Sequence, residues 1–101
     1  MTKIINGRKY STATATFIGD SSYSHYGDLA WCTEELYIKK TGEFFLYGEG
    51  GPMSGYCEYR GNNEYGGSAK IIPMSEDEAC EWAETHLSYE TYVKFFGDVE
   101  E

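Results

Sequence analysis

Residues 71–97 read IIPMSEDEACEWAETHLSYETYVKFFG, and this stretch decides the fold because it carries the clearest helix signals in the chain. Pro73 ends an apolar run, Ser75 follows, and Glu78 stands three residues further on. That spacing is typical of a capping box, in which each side chain accepts a hydrogen bond from the other residue's backbone amide. A helix is therefore predicted to begin directly after Ser75.

The same stretch predicts two short helices, at about 76–87 and 89–96. In the first helix the residues that share one face, at helical spacing, are Ala79, Trp82, Ala83, His86 and Leu87. Ser88 is a second N-cap candidate, and Gly97 suits the left-handed conformation that closes many helices. Both helices are expected to pack an apolar face against a core.

The rest of the chain favours strands. Asn6-Gly7 separates two short strands and is the preferred dipeptide of a tight hairpin. A central hairpin is predicted at about 33–47, with its turn at 40–42, and a last strand at about 69–73. The predicted fold class is α+β, with a small antiparallel sheet packed by the two C-terminal helices.

Three segments are harder to assign. Residues 11–18 alternate Thr and Ala, which fits either a strand or a short helix at 12–18. Residues 20–30 are polar and favour a surface loop. Seven of the twelve glycines lie in residues 48–67, which excludes a long helix there and leaves at most a short strand at about 56–59.

Negative charge is concentrated at the C-terminal end. Residues 75–101 hold nine acids and one base, a net of −8, whereas the other residues hold eight acids and seven scattered bases, a net of −1. On the first helix Asp77, Glu81 and Glu84 share a face, with Glu78 close by. Two interpretations are open: Glu76, Asp77 and Glu78 are favourable partners of the helix dipole in the first turn, or the acidic face is a surface for a basic protein.

Tyrosines concentrate in the two irregular regions, and they are Tyr23, Tyr26, Tyr56, Tyr59 and Tyr65. Tyrosine offers a large contact area at low entropy cost, so these side chains are candidates for a protein-binding surface. The alternative is that they pack over the edges of a small sheet. The sequence does not decide between the two.

Several functions are disfavoured by the composition. The 101 residues suit a single domain, 1–101, with no signal peptide or membrane span, which predicts a cytoplasmic protein. Cys32, Cys57 and Cys80 have neither disulfide nor zinc spacing, so no metal is expected. No catalytic motif or cofactor motif is present, which predicts a protein that is not an enzyme. Direct nucleic-acid binding is disfavoured because the bases are scattered.

Three segments, KIINGRKYSTATA at 3–15, LYIKKTGEFFLYGEGGPMS at 36–54 and KIIPMSEDEACEWAETHLSYETYVKFFGDVEE at 70–101, support a resemblance. They resemble a family of small, mostly uncharacterised acidic proteins of phages, prophages and mobile elements of gram-positive bacteria. The resemblance implies a more helical segment after the first hairpin, so we favour the helix at 12–18. It also implies an anti-CRISPR-like context.

The function expected from that context is inhibition of a host defence protein. The partner would have a basic nucleic-acid-binding surface, as a Cas effector or a restriction enzyme has, and would contact the acidic helix and the tyrosines. The alternative is an accessory protein-protein interaction module of a mobile element, or one that associates with itself as a homodimer. The inhibitor hypothesis predicts binding that weakens with salt, whereas the interaction-module hypothesis predicts association that is nearly independent of salt.

Overall fold

The computed structural model describes residues 1–24, 28–61 and 64–100, with only the backbone described at residues 60, 64 and 65. The strands are β1 (Thr2–Ile5), β2 (Arg8–Ser11), β3 (Thr16–Tyr23), β4 (Cys32–Ile38), β5 (Phe44–Gly50), β6 (Cys57–Gly61) and β7 (Glu64–Met74). Two helices follow, α1 (Glu76–His86) and α2 (Tyr89–Phe96). The predicted α+β class is confirmed.

The strands form two antiparallel sheets. β1 and β2 pair only with each other, whereas five strands form the main sheet in the order β3-β4-β5-β7-β6. β4 and β5 lie inside this sheet and β3 and β6 are its edges, so the predicted central hairpin is indeed central. The last strand begins earlier than the predicted residue 69, because β7 also pairs with β6.

Local signals set the turns and helix ends where they were expected. Asn6 and Gly7 have positive φ values of 53° and 76°, the conformation that a two-residue hairpin turn requires. Ser75 and Glu78 form both hydrogen bonds of the capping box, and Ser88 caps α2. Gly97 ends α2 with a φ of 90°. These elements depend on contacts between close neighbours in the sequence.

The helix expected at 12–18 is wrong, because Thr16 to Tyr23 form β3. The strand is stabilised by tertiary packing: Phe17 contacts the Tyr37 ring edge to face, while Ile18 is buried in the core. The pairing of β3 with β4 shifts register between Phe17 and Gly19, an irregularity of the β-bulge kind. Neither contact could be read from the alternation of Thr and Ala.

Two other expectations need correction. The segment 20–30 is not wholly a loop, since Asp20 to Tyr23 continue β3. The glycine-rich region contains the β6 and β7 hairpin rather than a single short strand. Glycine is required at 48 because an added Cβ would lie 2.0 Å from the Tyr56 ring, so this glycine serves close packing and not irregularity.

The main sheet buries a core on each face. On one side the helices cover the sheet, with Ala79 and Trp82 of α1 packed against Ile18, Leu36, Phe44 and Leu46. On the other side Tyr10 of the β1–β2 hairpin packs against Tyr37, Phe45 and Ile71. Away from this cluster the same face of the sheet carries the polar residues Asp20, Thr33, Glu35 and Glu49.

No helix in the described parts of the chain combines the length and the apolar character that a membrane crossing requires.

Candidate functional site

The solvent side of α1 carries the predicted acidic face. Asp77, Glu81 and Glu84 are all exposed, while Ala79, Trp82 and Ala83 on the opposite side are buried. The three carboxylates form no ion pair with any described side chain. Their spacing over two helical turns extends about 10 Å along the axis. The helix therefore presents uncompensated negative charge to solvent.

Glu78 has a different role from the other three acids. Its Oε1 accepts a hydrogen bond from the Ser75 backbone N–H at 2.8 Å, and its own N–H donates to Ser75 Oγ at 3.1 Å. These bonds lower the pKa of the Glu78 carboxyl. Of the four predicted contact acids, Glu78 is thus occupied in starting the helix, whereas Asp77, Glu81 and Glu84 are not part of the capping box.

The structure does not gather the tyrosine candidates into one surface. Tyr23 and Tyr59 are exposed by 63% and 59%, but they lie on β3 and β6, the opposite edges of the sheet. Four strand spacings separate these edges, which is roughly 19 Å. Tyr26 lies outside the described residues, as does the side chain of Tyr65. A single contact region that contains both Tyr23 and Tyr59 would have to span the whole sheet.

The contact role predicted for Tyr56 conflicts with its position. Only 5% of this residue is exposed, because its ring lies over Gly48 on the helix side of the sheet. Its hydroxyl donates to Glu34 Oε2, and burial, followed by this bond, raises the pKa of the phenol. Tyr56 is therefore a packing residue, which is the alternative that the sequence left open.

Glu34 is the polar centre of this packed region. Its second oxygen, Oε1, accepts a hydrogen bond from Trp82 Nε1 at 3.0 Å. Both carboxylate oxygens are thus occupied, so Glu34 is poorly placed to take a proton from a substrate. Sequence reasoning missed this site because the partners of Glu34 are 22 and 48 residues away along the chain.

A serine and a histidine meet at the end of α1. Ser21 Oγ lies 3.0 Å from His86 Nδ1, and the imidazole ring packs 4.8 Å from the Trp82 ring. A serine nucleophile needs a base that a third group orients, together with donors for the oxyanion. Among the described residues, the hydrogen bonds of His86 supply no such third group. The pair alone defines no reaction.

A second acidic surface was not predicted. It occupies the part of the main sheet that the N-terminal hairpin leaves uncovered. Asp20 on β3 lies directly opposite Glu35 on β4, and Glu49 on β5 lies opposite Thr33. Two open cavities, of about 400 and 630 Å³, are lined in part by these carboxylates. The negative charge of the molecule is therefore not confined to its C-terminal helices.

Four of the bases, in contrast, lie together in the folded protein. Arg8, Lys9, Lys39 and Lys40 line one cavity of about 430 Å³ together with Glu43, where β2 meets the β4–β5 turn. The expectation of dispersed bases is wrong for these four, because folding brings residues 8–9 against residues 39–40. The cluster is not apparent from the sequence because the two pairs of bases are far apart along the chain.

Metal ligands are not grouped in the described part of the chain, where no three His, Cys, Asp or Glu side chains are placed to share an ion. The three cysteines are free thiols, and each is partly buried.

Comparison of the chain with protein-family models, with curated proteins and with solved structures found no match.

Proposed function

We propose that this protein is a non-enzymatic inhibitor that binds a basic, nucleic-acid-handling host defence protein through the acidic face of α1. The observation that carries the proposal is the exposed row of Asp77, Glu81 and Glu84, which has no positive partner among the described residues. A partner groove built for phosphates would offer the positive charge that these carboxylates lack.

The resemblance to small acidic proteins of phages and mobile elements supports the same proposal. In that context the partner is a Cas effector or a restriction enzyme. Binding there requires no catalytic residue, because occupying the nucleic-acid groove is sufficient to block activity. Charge complementarity of this kind mainly accelerates association and makes it sensitive to salt.

The test is a charge reversal with a matched control. Asp77→Lys, Glu81→Lys and Glu84→Lys are combined in one variant, and Glu58→Lys, Asp98→Lys and Glu100→Lys in another, so that the net charge changes equally. All six residues are exposed. Each protein is immobilised and used to capture Cas and restriction proteins from a gram-positive lysate, with washes at low and then high salt.

The proposal expects capture of such a protein by wild type, release at high salt, and at least a tenfold loss of binding in the α1 variant alone. Equal loss in both variants would show that net charge, and not this face, controls capture. Unchanged binding by the α1 variant would remove the acidic helix from the function.

A second candidate is an accessory interaction module, which the apolar groove near the helix junction favours. This groove has a volume of about 380 Å³ and contains Leu87, Tyr89, Tyr92 and Val99, with Tyr89 exposed by 66%. Contact through such a surface is nearly independent of salt. Sedimentation of the purified protein at low and high salt separates the candidates, since a salt-resistant dimer would favour the module.

A further inference from the structure

The basic cavity between β2 and the β4–β5 turn is the strongest exception to the acidic character of the chain. Four of the eight Lys and Arg residues are found in its lining, and among the described side chains Glu43 is the one carboxylate there. Four positive side chains and one negative give a formal charge of +3, in a protein whose net charge is −9. Like charges at close range repel one another, so an anion in the cavity would lower the energy of the cluster.

Glu43 fixes the geometry of two of these bases. Arg8 Nη1 donates to Glu43 Oε2 at 2.7 Å, and Lys39 Nζ donates to Oε1 at 3.1 Å. The Thr41 hydroxyl also donates to Oε1, at 3.0 Å. Lys39 is further held over the Tyr10 ring, 4.2 Å from its centroid. The wall of the cavity is therefore ordered before any ligand arrives, which reduces the entropy lost on binding.

Several N–H and O–H donors around the cavity take no part in these contacts. A guanidinium carries five N–H groups, and Arg8 contacts Glu43 through one nitrogen. Lys9 and Lys40 are exposed and form no ion pair with the described side chains. Thr14, also exposed, adds a hydroxyl to the lining. Ammonium, guanidinium and hydroxyl donors around one space are the groups that bind phosphate oxygens.

We propose that this cavity binds the phosphate group of a small phosphorylated ligand, with Lys9, Lys40 and Arg8 as its donors. The volume of about 430 Å³ is in the range of small-molecule sites. A small ligand is favoured over a nucleic-acid strand because a strand is a polyanion and would run onto a surface with a net charge of −9. The site is separate from α1 and does not depend on the proposed inhibitor function.

The experiment is calorimetric titration of the full chain with adenosine 5′-monophosphate, with adenosine as the ligand lacking phosphate. A Lys9→Gln and Lys40→Gln double variant removes two donors, and a Lys70→Gln and Lys94→Gln variant makes the same charge change elsewhere. Both control lysines are exposed. Lys9→Arg with Lys40→Arg keeps the charge and the donors. Circular dichroism establishes that each variant is folded.

The expected result is binding of the monophosphate but not of adenosine, with competition by inorganic phosphate. The Lys9→Gln and Lys40→Gln variant should weaken binding at least tenfold, since hydrogen bonds from a charged donor to phosphate are stronger than those from a neutral donor. The Lys70→Gln and Lys94→Gln variant and the arginine variant should bind as wild type does.

Three results would overturn the proposal. Equal binding of adenosine would show that phosphate is not recognised, and unchanged affinity in the Lys9→Gln and Lys40→Gln variant would place the site elsewhere. Much tighter binding of a single-stranded oligonucleotide through the same lysines would replace the small ligand by a strand. Because the α1 variant retains the cavity, failure of this inference and failure of the proposed inhibition are distinguishable.

Discussion

At the scale of single residues, Glu34 connects three parts of the fold. Its carboxylate lies on β4 and accepts hydrogen bonds from Tyr56, in the turn just before β6, and from Trp82 on α1. A partly buried carboxylate is stable only when its oxygens have donors. Both donors are themselves almost fully buried, at 5% and 9% exposure, so solvent cannot easily replace either one.

Tyr56→Phe should therefore lower the free energy of unfolding by about 1–3 kcal/mol, because Glu34 Oε2 would lose its donor while remaining partly buried. Urea unfolding followed by circular dichroism measures this change. Tyr23→Phe is the control, since Tyr23 is 63% exposed and should change stability by less than about 0.5 kcal/mol. Equal stabilities of the two variants would mean that water replaces the Tyr56 hydroxyl.

Only part of the Glu34 site could be predicted from the sequence. Alternation along a strand correctly places Glu34 and Glu35 on opposite faces of the sheet. The same alternation cannot tell which face receives a distant tyrosine or tryptophan. The sequence left Tyr56 open between a contact role and a packing role for this reason, and it is buried by contacts to Gly48 and Glu34 that only the fold creates.

At the scale of elements, Glu43 links the N-terminal hairpin to the main sheet through ion pairs. Arg8 reaches it from β2, and Lys39 reaches it across the turn between β4 and β5. Hydrogen bonds from Arg8, and then from Lys39 and Thr41, lower the pKa of Glu43 to about 2 from an ordinary value of 4.5. The charged form of Glu43 is therefore the form that the folded state prefers.

The pH dependence of stability follows from the sign of this shift. A lowered pKa in the folded state stabilises the protein fully above about pH 4.5, and this contribution is lost as the pH falls toward about 2. Glu43→Gln should reduce stability at pH 7 but should match wild type near pH 2. Urea unfolding of both proteins at several pH values measures the difference. A difference that persists at pH 2 would show that the charge of Glu43 is not its source.

Asp20 and Glu35 form a second electrostatic feature between elements, this one unfavourable. They lie directly opposite each other on β3 and β4, where like charges destabilise a pair of strands. Asp20→Asn should raise the free energy of unfolding by about 0.2–1 kcal/mol at low salt. Glu58→Gln makes the same charge change opposite Gly66 and should have little effect. Thermal unfolding of both variants measures these changes. A loss of stability in Asp20→Asn would show that Asp20 has a favourable partner.

Elements with local signals were predictable, and the others were not. Ser75 with Glu78, Ser88, and Asn6 with Gly7 set their structures through bonds between near neighbours, which a sequence displays directly. β3 depends instead on its pairing with β4 and on the burial of Ile18. Tertiary packing overrides a weak local preference in such segments.

At the scale of the whole molecule, charge is segregated. The basic cavity lies where the N-terminal hairpin meets the β4–β5 turn, whereas exposed acids are concentrated on α1 and further acids lie on the uncovered part of the sheet. The sequence showed the excess of acids near the C-terminus but not the basic cluster, because residues 8–9 and 39–40 become neighbours only on folding. Added salt should therefore have opposite effects on the binding of a basic partner and on the stability of the fold.

Sodium chloride should weaken binding to a basic partner but strengthen the fold. The net charge is −9 and the radius of gyration is 14.9 Å, while the Debye length falls from about 30 Å at 0.01 M salt to about 8 Å at 0.15 M. Repulsion across the molecule is thus strong at the lower concentration and screened at the higher one. Chemical unfolding in urea, which adds no ions, should show a free energy that rises between these concentrations.

A variant that combines Asp77→Asn, Glu81→Gln and Glu84→Gln has a net charge of −6, three less negative than the −9 of wild type, and should show a smaller rise. The same variant should bind a basic partner less tightly, because the removed charges are those proposed to contact it. Stability that falls with added salt would mean that the ion pairs of Glu43 with Arg8 and Lys39 outweigh the repulsion. In that case the acids of α1 would be tolerated in the fold at little energetic cost, and their presence would need no compensating function.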